Sequence, residues 1–129
     1  MSIVIENLCK KFGTTPVLQN FSWTVDRPMV LMGRSGCGKT TLLRILLGLE
    51  SPDGGATNAG HFRWAAVFQE DRLCESFSAG DNVLMTAPSS MGRAEAHREL
   101  LELLPEEVLN RPVSSLSGGQ KRRVAICRA

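Results

Sequence analysis

The stretch GRSGCGKT at residues 33–40 decides the fold. It matches the pattern G-x-x-x-x-G-K-[ST] in full, in which a glycine-rich loop joins a strand to a helix and cradles phosphate groups. The apolar run PMVLM at residues 28–32 precedes the loop and predicts a strand buried on both faces. A leucine-rich run from Lys39 to Leu49 follows and predicts a buried helix. The motif therefore stands in the context that a phosphate-binding loop requires.

Each residue type in this loop has a chemical reason. Glycines let the backbone curl so that N–H groups converge on phosphate oxygens, and the helix start adds partial positive charge. Lys39 is predicted to reach the β- and γ-phosphates, and Thr40 to offer its hydroxyl to Mg²⁺. Cys37 is predicted to be a small filler rather than a redox thiol. An ordinary glycine-rich turn is the alternative. The predicted nucleotide-binding residues of the loop are Gly33, Arg34, Ser35, Gly36, Cys37, Gly38, Lys39, Thr40 and Thr41.

Composition limits the broad class of protein. The chain has 129 residues, 43% of them hydrophobic, which is enough for the core of one ordinary domain. Its net charge of +2 does not suggest nucleic acid or an anionic membrane as the main partner. The four cysteines are too far apart for a zinc site or a dense disulfide framework, which favours free thiols. Neither a signal peptide nor an apolar run of membrane-spanning length is evident.

Hydrophobic patterns predict the remaining secondary structure. Strands are predicted at residues 2–8, at 21–25, where Phe21, Trp23 and Val25 alternate, and at 62–68, running into Gln69. Residues 51–60, SPDGGATNAG, have the composition of a loop. A helix is predicted at residues 93–104, a further turn at 106–109, and a helix again from Gly118 onward. Strands thus come first and helices later.

A second motif narrows the class. The sequence LSGGQ at residues 116–120, together with the phosphate loop, resembles the ATP-binding subunits of ABC transporters, loosely the importer type for nitrate, sulfonate or taurine. KKFG at 10–13 resembles the adenine-stacking loop of that family, VFQED at 67–71 its Q-loop, and LSGGQKRRVAICRA its signature motif and helix. The resemblance covers essentially the whole chain.

The resemblance implies roles that the residues alone leave open. Phe12 would stack on adenine, or it is a core aromatic. Gln69 would contact Mg²⁺ and the attacking water, or it is a strand-end residue; with Thr40 it forms the implied metal set. The signature residues would close over ATP bound to the opposite subunit, or they form only a helix cap and hinge. These residues are Ser117, Gly118, Gly119 and Gln120.

The implied fold class is α/β, a partial P-loop core of the ABC type with an antiparallel β subdomain and a helical subdomain. The expected division is residues 1–73 for the β subdomain and phosphate-loop core, 74–115 for the helical subdomain, and 116–129 for the signature motif and its helix. Leu84 and Met85 would line a permease-docking groove or fill a small internal core. The basic run Lys121, Arg122 and Arg123 is predicted to be a solvated helix face rather than a nucleic-acid patch.

The family's hydrolytic residues are not identifiable in this sequence. The resemblance implies a hydrophobic strand ending Asp-Glu after the signature helix, then a histidine, and no such strand follows Leu116. His61 and His97 both precede the signature. The prediction is therefore that the chain is the N-terminal part of a domain and is poorly stable alone, and its own enzyme activity stays open.

The implied function is ATP binding and, in the complete protein, ATP hydrolysis that powers transport through a membrane permease. The implied cofactors are ATP and Mg²⁺. The implied partners are a permease subunit and a second ATP-binding subunit, at the inner face of the cell membrane. One alternative is a nucleotide-binding remnant without hydrolysis. Another is a non-transport ABC ATPase, disfavoured because Leu116 lies only 83 positions after Gly33 and the segment between them carries no heptads.

Overall fold

The computed structural model describes residues 2–129, which form two compact units that divide between Trp64 and Ala65. The first unit contains an antiparallel sheet and one helix, and the second unit is helical. These units are defined by internal packing. The division predicted from the family's subdomains, at residues 73 and 115, stays a prediction.

The sheet of the first unit has the order β2-β1-β3. Strands β1 (Ile3–Phe12) and β2 (Thr15–Val25) form an antiparallel hairpin, with Ile5 opposite Trp23. The hairpin turns at Gly13, whose φ of 59° is one that glycine adopts without steric cost. The predicted antiparallel β subdomain is confirmed.

Strand β3 (Gly54–Thr57) lies where the sequence predicted only a loop. It pairs with β1 through Ile5 and Thr57, and again through Cys9 and Gly54. Between these pairs β1 bulges at Asn7, whose φ is 49°. Gly55 passes this bulge so closely that a Cβ would lie 2.4 Å from the Asn7 carbonyl oxygen. The glycines of this segment predict a loop, whereas Gly55 permits the strand to pair.

Helix α1 (Lys39–Leu46) packs one apolar face onto the sheet. Its buried side chains join those of the strands in one core, which contains Ile5, Leu8, Leu18, Leu42, Ile45, Leu46 and Ala59. Burying such a side chain contributes about 1.5–3 kcal/mol, so this core holds the helix against the sheet. The loop that precedes α1 is thereby held against the sheet.

Two predicted strands are not formed. Residues 28–32 and 62–68 have no strand, and Val30 and Met32 are 83% and 85% exposed. Within residues 2–129 no strand pairs with either segment. Because backbone N–H and C=O groups become strand only by pairing with a neighbour, an apolar pattern alone does not make one. Leu31 still packs partly against the core.

The second unit is built from α2 (Ala79–Leu84), α3 (Arg93–Leu101), α4 (Glu106–Leu109) and α5 (Gly118–Arg128). Their shared core is aliphatic and includes Val83, Leu100, Leu109, Val113 and Val124. The helix predicted at 93–104 is formed as α3, which ends three residues earlier than predicted, at Leu101. Leu84 packs against this core, whereas Met85 is 57% exposed.

One buried polar side chain organises the entry to α2. The Asn82 side chain is fully buried and accepts the Cys74 N–H at 2.8 Å. It donates in turn to the carbonyls of Cys74 at 3.1 Å and Ser78 at 3.0 Å. These bonds satisfy its amide and tie the loop before α2 to the helix.

No helix among residues 2–129 has the length and apolar character needed to cross a membrane.

Candidate nucleotide-binding site

The phosphate loop at residues 33–40 curls because two of its glycines have left-handed backbone angles. Gly36 has a φ of 79° and Gly38 a φ of 95°. Gly38 is also buried, and a Cβ there would lie 3.1 Å from the Val17 carbonyl oxygen and from the Leu18 side chain. Gly33 faces Cys37, whose sulfur would lie 2.8 Å from an added Cβ. The loop therefore approaches the hairpin and itself more closely than larger residues allow.

Lys39 bridges the loop from the inside. Its Nζ donates to the carbonyl oxygens of Gly33 at 2.7 Å and Arg34 at 2.8 Å, and lies 3.7 Å from the Cys37 sulfur. The Cys37 N–H closes the turn onto the Arg34 carbonyl at 3.3 Å. The ammonium thus lies within the curl of the loop, where it is placed to meet an anion. Cys37 is an exposed free thiol beside it.

The first turn of α1 favours negative charge. Its N-cap is Gly38, which has no side chain to accept the first N–H groups, and the turn carries no acidic residue. Those N–H groups have no intrahelical acceptor and carry the positive end of the helix dipole. Thr40 is exposed and Thr41 half-buried within this turn. Arg34, Ser35 and Gly36 are exposed around it.

Phe12 is not a core aromatic. It lies at the end of β1 with 51% of its surface exposed, and the Lys10 Nζ sits 5.3 Å from its ring centroid. Lys10 pairs with Glu50 at 2.8 Å, and this hydrogen bond is the main reason that the pKa of Lys10 lies above its ordinary value. The cation is therefore held over an exposed ring, a favourable cation–π arrangement.

The signature residues form the start of α5. Ser117 is the N-cap: its Oγ accepts the Gln120 N–H at 3.3 Å, and its own N–H donates to the Gln120 Oε1 at 2.9 Å. This reciprocal capping box satisfies two groups that helix starts usually leave unpaired. Gly118 and Gly119 are exposed, and an added Cβ at either would meet nothing within 4 Å. Two backbone N–H groups are thus presented without surrounding side chains.

Gln69 is exposed in a segment without regular secondary structure, and Arg122 of α5 donates to its carbonyl oxygen at 2.7 Å. The structure therefore brings the Gln69 backbone to the signature helix within the second unit. Gly33 to Thr41 come together in the first unit, and Phe12 ends strand β1 of that unit. Among residues 2–129 no three His, Cys, Asp or Glu side chains cluster as metal ligands. Thr40 and Gln69 remain the predicted magnesium contacts.

The basic run at 121–123 keeps partial exposure to solvent, with Arg123 exposed and Lys121 and Arg122 half-buried, and all three side chains also make contacts within the chain. Lys121 pairs with Glu75 at 2.9 Å, Arg122 with Asp71 at 3.0 Å, and Arg123 donates to the Leu103 carbonyl at 3.3 Å. All three partners belong to the second unit. The sequence does not predict these contacts, because the acceptors are backbone and side-chain oxygens of irregular segments whose positions it does not specify.

The fold and the loop define the class as a P-loop nucleotide-binding protein. The sequence model described as ABC transporter matches residues 18–129, and the chain belongs to this family. The predicted resemblance and the α/β P-loop fold class are thereby confirmed.

Curated relatives are similar along the whole chain. The Fe(3+) ions import ATP-binding protein FbpC of Pasteurella multocida is 37% identical over 98% of this chain and 41% of its own length. The aliphatic sulfonates import ATP-binding protein SsuB 3 of Paraburkholderia xenovorans is 36% identical over 99% of this chain and 52% of its own. The chain therefore spans about half the length of the curated relatives it matches.

A solved structure supports the same fold. It is described as the structure of an ATP binding subunit of an ABC transporter, and it aligns with a TM-score of 0.80 at 25% identity. The alignment covers all of this chain and 61% of that one.

Proposed function

We propose that this chain binds Mg-ATP at the phosphate loop and, within the whole protein, serves as the ATP-binding subunit of an importer. The observation that carries the proposal is the geometry of residues 33–41. A curled glycine loop, an internal lysine and an uncapped helix start converge without any acidic side chain in the first turn. This combination suits a polyphosphate, because it offers directed N–H donors and positive charge in one place.

Lys39 is proposed to contact the β- and γ-phosphates. Its ammonium already donates to two loop carbonyls, at Gly33 and Arg34, so its position is fixed near the loop centre. Phosphate oxygens are stronger acceptors than neutral carbonyls because the bond to them is charge-assisted. We therefore expect Lys39 to exchange carbonyl partners for phosphate oxygens when ATP binds.

The magnesium ion is proposed to be held by Thr40, Gln69 and the phosphates themselves. Mg²⁺ commonly takes few protein ligands and keeps phosphate and water oxygens around it, so a cage of carboxylates is not needed. The ion supplies neutralisation of phosphate charge. The Thr40 hydroxyl is exposed in the first turn of α1, as this role requires.

Adenine is proposed to stack on Phe12. Lys10 lies over the ring, and half of the Phe12 surface is still exposed, which leaves room for a flat aromatic partner. The signature residues, led by Ser117, are proposed to meet the phosphates of ATP bound to a second ATP-binding subunit. The free N–H groups of Gly118 and Gly119 support this role, because a helix start binds anions.

The proposed partners follow from the relatives. Proteins named for Fe(3+) import and for sulfonate import are about equally similar to this chain. A shared ATP-binding half with different cargo fits specificity that resides in a permease, so we propose import without naming the cargo. Hydrolysis and a location at the inner face of the membrane are proposed for the whole protein, with the helical unit as the permease-docking side.

The test is calorimetric titration of the chain with Mg-ATP. Lys39→Ala should weaken binding by about 1.5–3 kcal/mol, the scale of one charge-assisted hydrogen bond. Arg44→Ala removes a cation from the other end of the same helix and serves as the matched control, which should bind as the unchanged chain does. Equal affinity for Lys39→Ala and the unchanged chain would remove the phosphate loop from the proposal.

A further inference from the structure

The segment that carries Gln69 depends on α5 for its conformation. Residues 68–72, here called the Gln69 segment, form no helix or strand. Arg72 within it has a φ of 50°, a left-handed backbone angle that costs energy for a residue other than glycine. The Arg72 guanidinium also lies 4.8 Å from the Phe68 ring centroid, which folds the segment onto itself. Such a conformation persists only if neighbouring groups hold it.

Arg122 holds the first half of the segment. One nitrogen of its guanidinium donates to the Phe68 carbonyl, and the other donates to the Gln69 carbonyl at 2.7 Å. The same side chain pairs with the Asp71 Oδ1 at 3.0 Å. That oxygen is buried and has no well-directed hydrogen bond, so the ion pair is its compensation.

Arg128 holds the second half in the same manner. Its two terminal nitrogens donate to the Arg72 carbonyl at 2.7 Å and to the Asp71 carbonyl at 3.0 Å. Its own carbonyl accepts the Thr86 hydroxyl at 3.0 Å, which ties the end of α5 to the end of α2. Two arginines of one helix therefore bind the carbonyls of Phe68, Gln69, Asp71 and Arg72.

We propose that Arg122 and Arg128 are positioning residues that set the placement of Gln69 for Mg-ATP. The inference rests on the proposed function, because it assigns these arginines to the magnesium role of Gln69. It adds that the helix beginning at Ser117 controls the Gln69 backbone. Val124 and Ala125 bury α5 in the core, so the helix provides a rigid frame from which the two arginines reach.

The planar guanidinium is the chemical reason for arginine at both positions. The two terminal nitrogens of one guanidinium can donate to two carbonyl oxygens at once. A lysine ammonium is a compact point charge and does not have this forked geometry. Arg122→Lys and Arg128→Lys should therefore keep the charge and lose the forked contact. Arg123→Lys is the matched control, because it changes the same helix by the same chemistry but contacts Leu103 instead.

The first readout is cleavage after Glu70 by a glutamate-specific protease. Glu70 lies in the middle of the Gln69 segment, so release of the backbone should speed its cleavage about tenfold, the factor for losing one charge-assisted hydrogen bond. Cleavage after Glu106, in α4 of the same chain, reports general unfolding and should not change. Asp71→Asn is a second variant that weakens the ion pair while keeping the shape of the side chain.

The second readout is the gain in ATP affinity that Mg²⁺ provides, measured as the ratio of Kd with chelator to Kd with magnesium. Gln69→Ala should reduce this ratio, and Arg122→Lys and Arg128→Lys should reduce it by about threefold or more with Kd in chelator unchanged, since less than one full hydrogen bond is lost. A merely structural role would move both affinities together. Arg123→Lys should leave the ratio as it is.

Each outcome decides the inference. Faster cleavage after Glu70 together with a reduced magnesium ratio supports it. Unchanged cleavage after Glu70 in both lysine variants overturns it, whatever the nucleotide results. Faster cleavage with an unchanged ratio also overturns it, because the arginines would then hold the backbone without serving Gln69. Failure of Lys39→Ala to weaken ATP binding instead removes the proposed function, and the cleavage result still reports on the two arginines separately.

Discussion

The two helix starts at Gly38 and Ser117 solve the same problem in opposite ways. Helix α1 begins at a buried glycine with no side-chain cap, and a lysine from its first position reaches back over the loop. Helix α5 begins at a serine whose side chain and partner Gln120 satisfy each other's backbone groups. The first start leaves its donors and its cation for a ligand, whereas the second is complete without one.

The two helix starts therefore differ in how strongly each is expected to bind an anion. Anion binding at α1 draws on the Lys39 charge, which is held inside the loop, and on several N–H groups without a side-chain cap, so one chain alone should bind an anion there. At α5 the cap already uses the serine, and only the two glycine N–H groups are free of side chains. Such an anion site suits a ligand already held elsewhere, which is compatible with the proposed role toward ATP on a second subunit.

The largest expected effect is from glycine replacement at the first helix start. Gly38→Ala should lower the free energy of unfolding of the first unit by about 2–4 kcal/mol. The alanine would have a left-handed backbone angle, and its Cβ would also lie 3.1 Å from atoms of Val17 and Leu18. Urea unfolding followed by tryptophan fluorescence measures it, since Trp23 and Trp64 both lie in that unit.

Two matched variants sharpen the result. Gly36→Ala has the same kind of backbone angle but no atom within 4 Å of the new Cβ, so about 1 kcal/mol is expected. Gly118→Ala, at the other helix start, has neither problem and should not lower stability, because alanine favours a helix by up to about 1 kcal/mol over glycine. Equal costs at Gly38 and Gly36 would show that the close packing is not what fixes this loop.

An intermediate effect is expected at the second helix start. Ser117→Ala removes the cap and should lower the stability of the second unit by about 1 kcal/mol, measured by the loss of far-ultraviolet helical signal in urea. Ser117→Asp is the matched control, since aspartate caps as well as serine. A fully stable alanine variant would mean that the capping box contributes nothing to the second unit.

The smallest effect concerns pH at a third helix start. Ser78 caps α2, and its hydroxyl donates to Asp81 at 2.7 Å, which is the main reason that the pKa of Asp81 lies below its ordinary value. Arg93 at 2.9 Å adds to it. Because the folded pKa is lowered, this stabilisation is fully present above the unfolded pKa of about 3.9 and is lost as the pH falls from there through the lower folded pKa.

Asp81→Asn should therefore reduce the dependence of the free energy of unfolding on pH in the acid range. Urea unfolding at a series of pH values from neutral down to acid would compare the two chains. The expected pattern is a difference at neutral pH that shrinks under acid. A difference of constant size across that range would contradict a contribution from the Asp81 charge.

Local motifs made much of the site predictable. The phosphate loop and the signature are each a short, continuous stretch of sequence. The positive φ angles at Gly36 and Gly38 and the cap at Ser117 could therefore be predicted from residues a few positions apart. The strands predicted at 2–8 and 21–25 overlap β1 and β2, which extend further toward the turn than predicted. The predicted strand at 28–32 was wrong because strand formation is a property of pairs, and an apolar run does not contain its partner.

Long-range contacts to irregular backbone were not predictable. Arg122 and Arg128 bind carbonyl oxygens more than fifty positions away in sequence, and a carbonyl has no residue identity to recognise. A spacing of arginines on the signature helix gives no hint of an acceptor in a loop. Strand β3 was missed for a related reason, since the need for Gly55 arises only from the bulge at Asn7.

The close approach of Gly55 to the Asn7 carbonyl also acts as a guard against misalignment. If β3 slid along β1 so that Ala56 took the place of Gly55, its methyl group would collide with that oxygen. A short strand with little side-chain bulk is otherwise poorly protected against register slip, which would move every side chain to the opposite face. The missing side chain at position 55 thus helps to select one alignment of the sheet that supports α1.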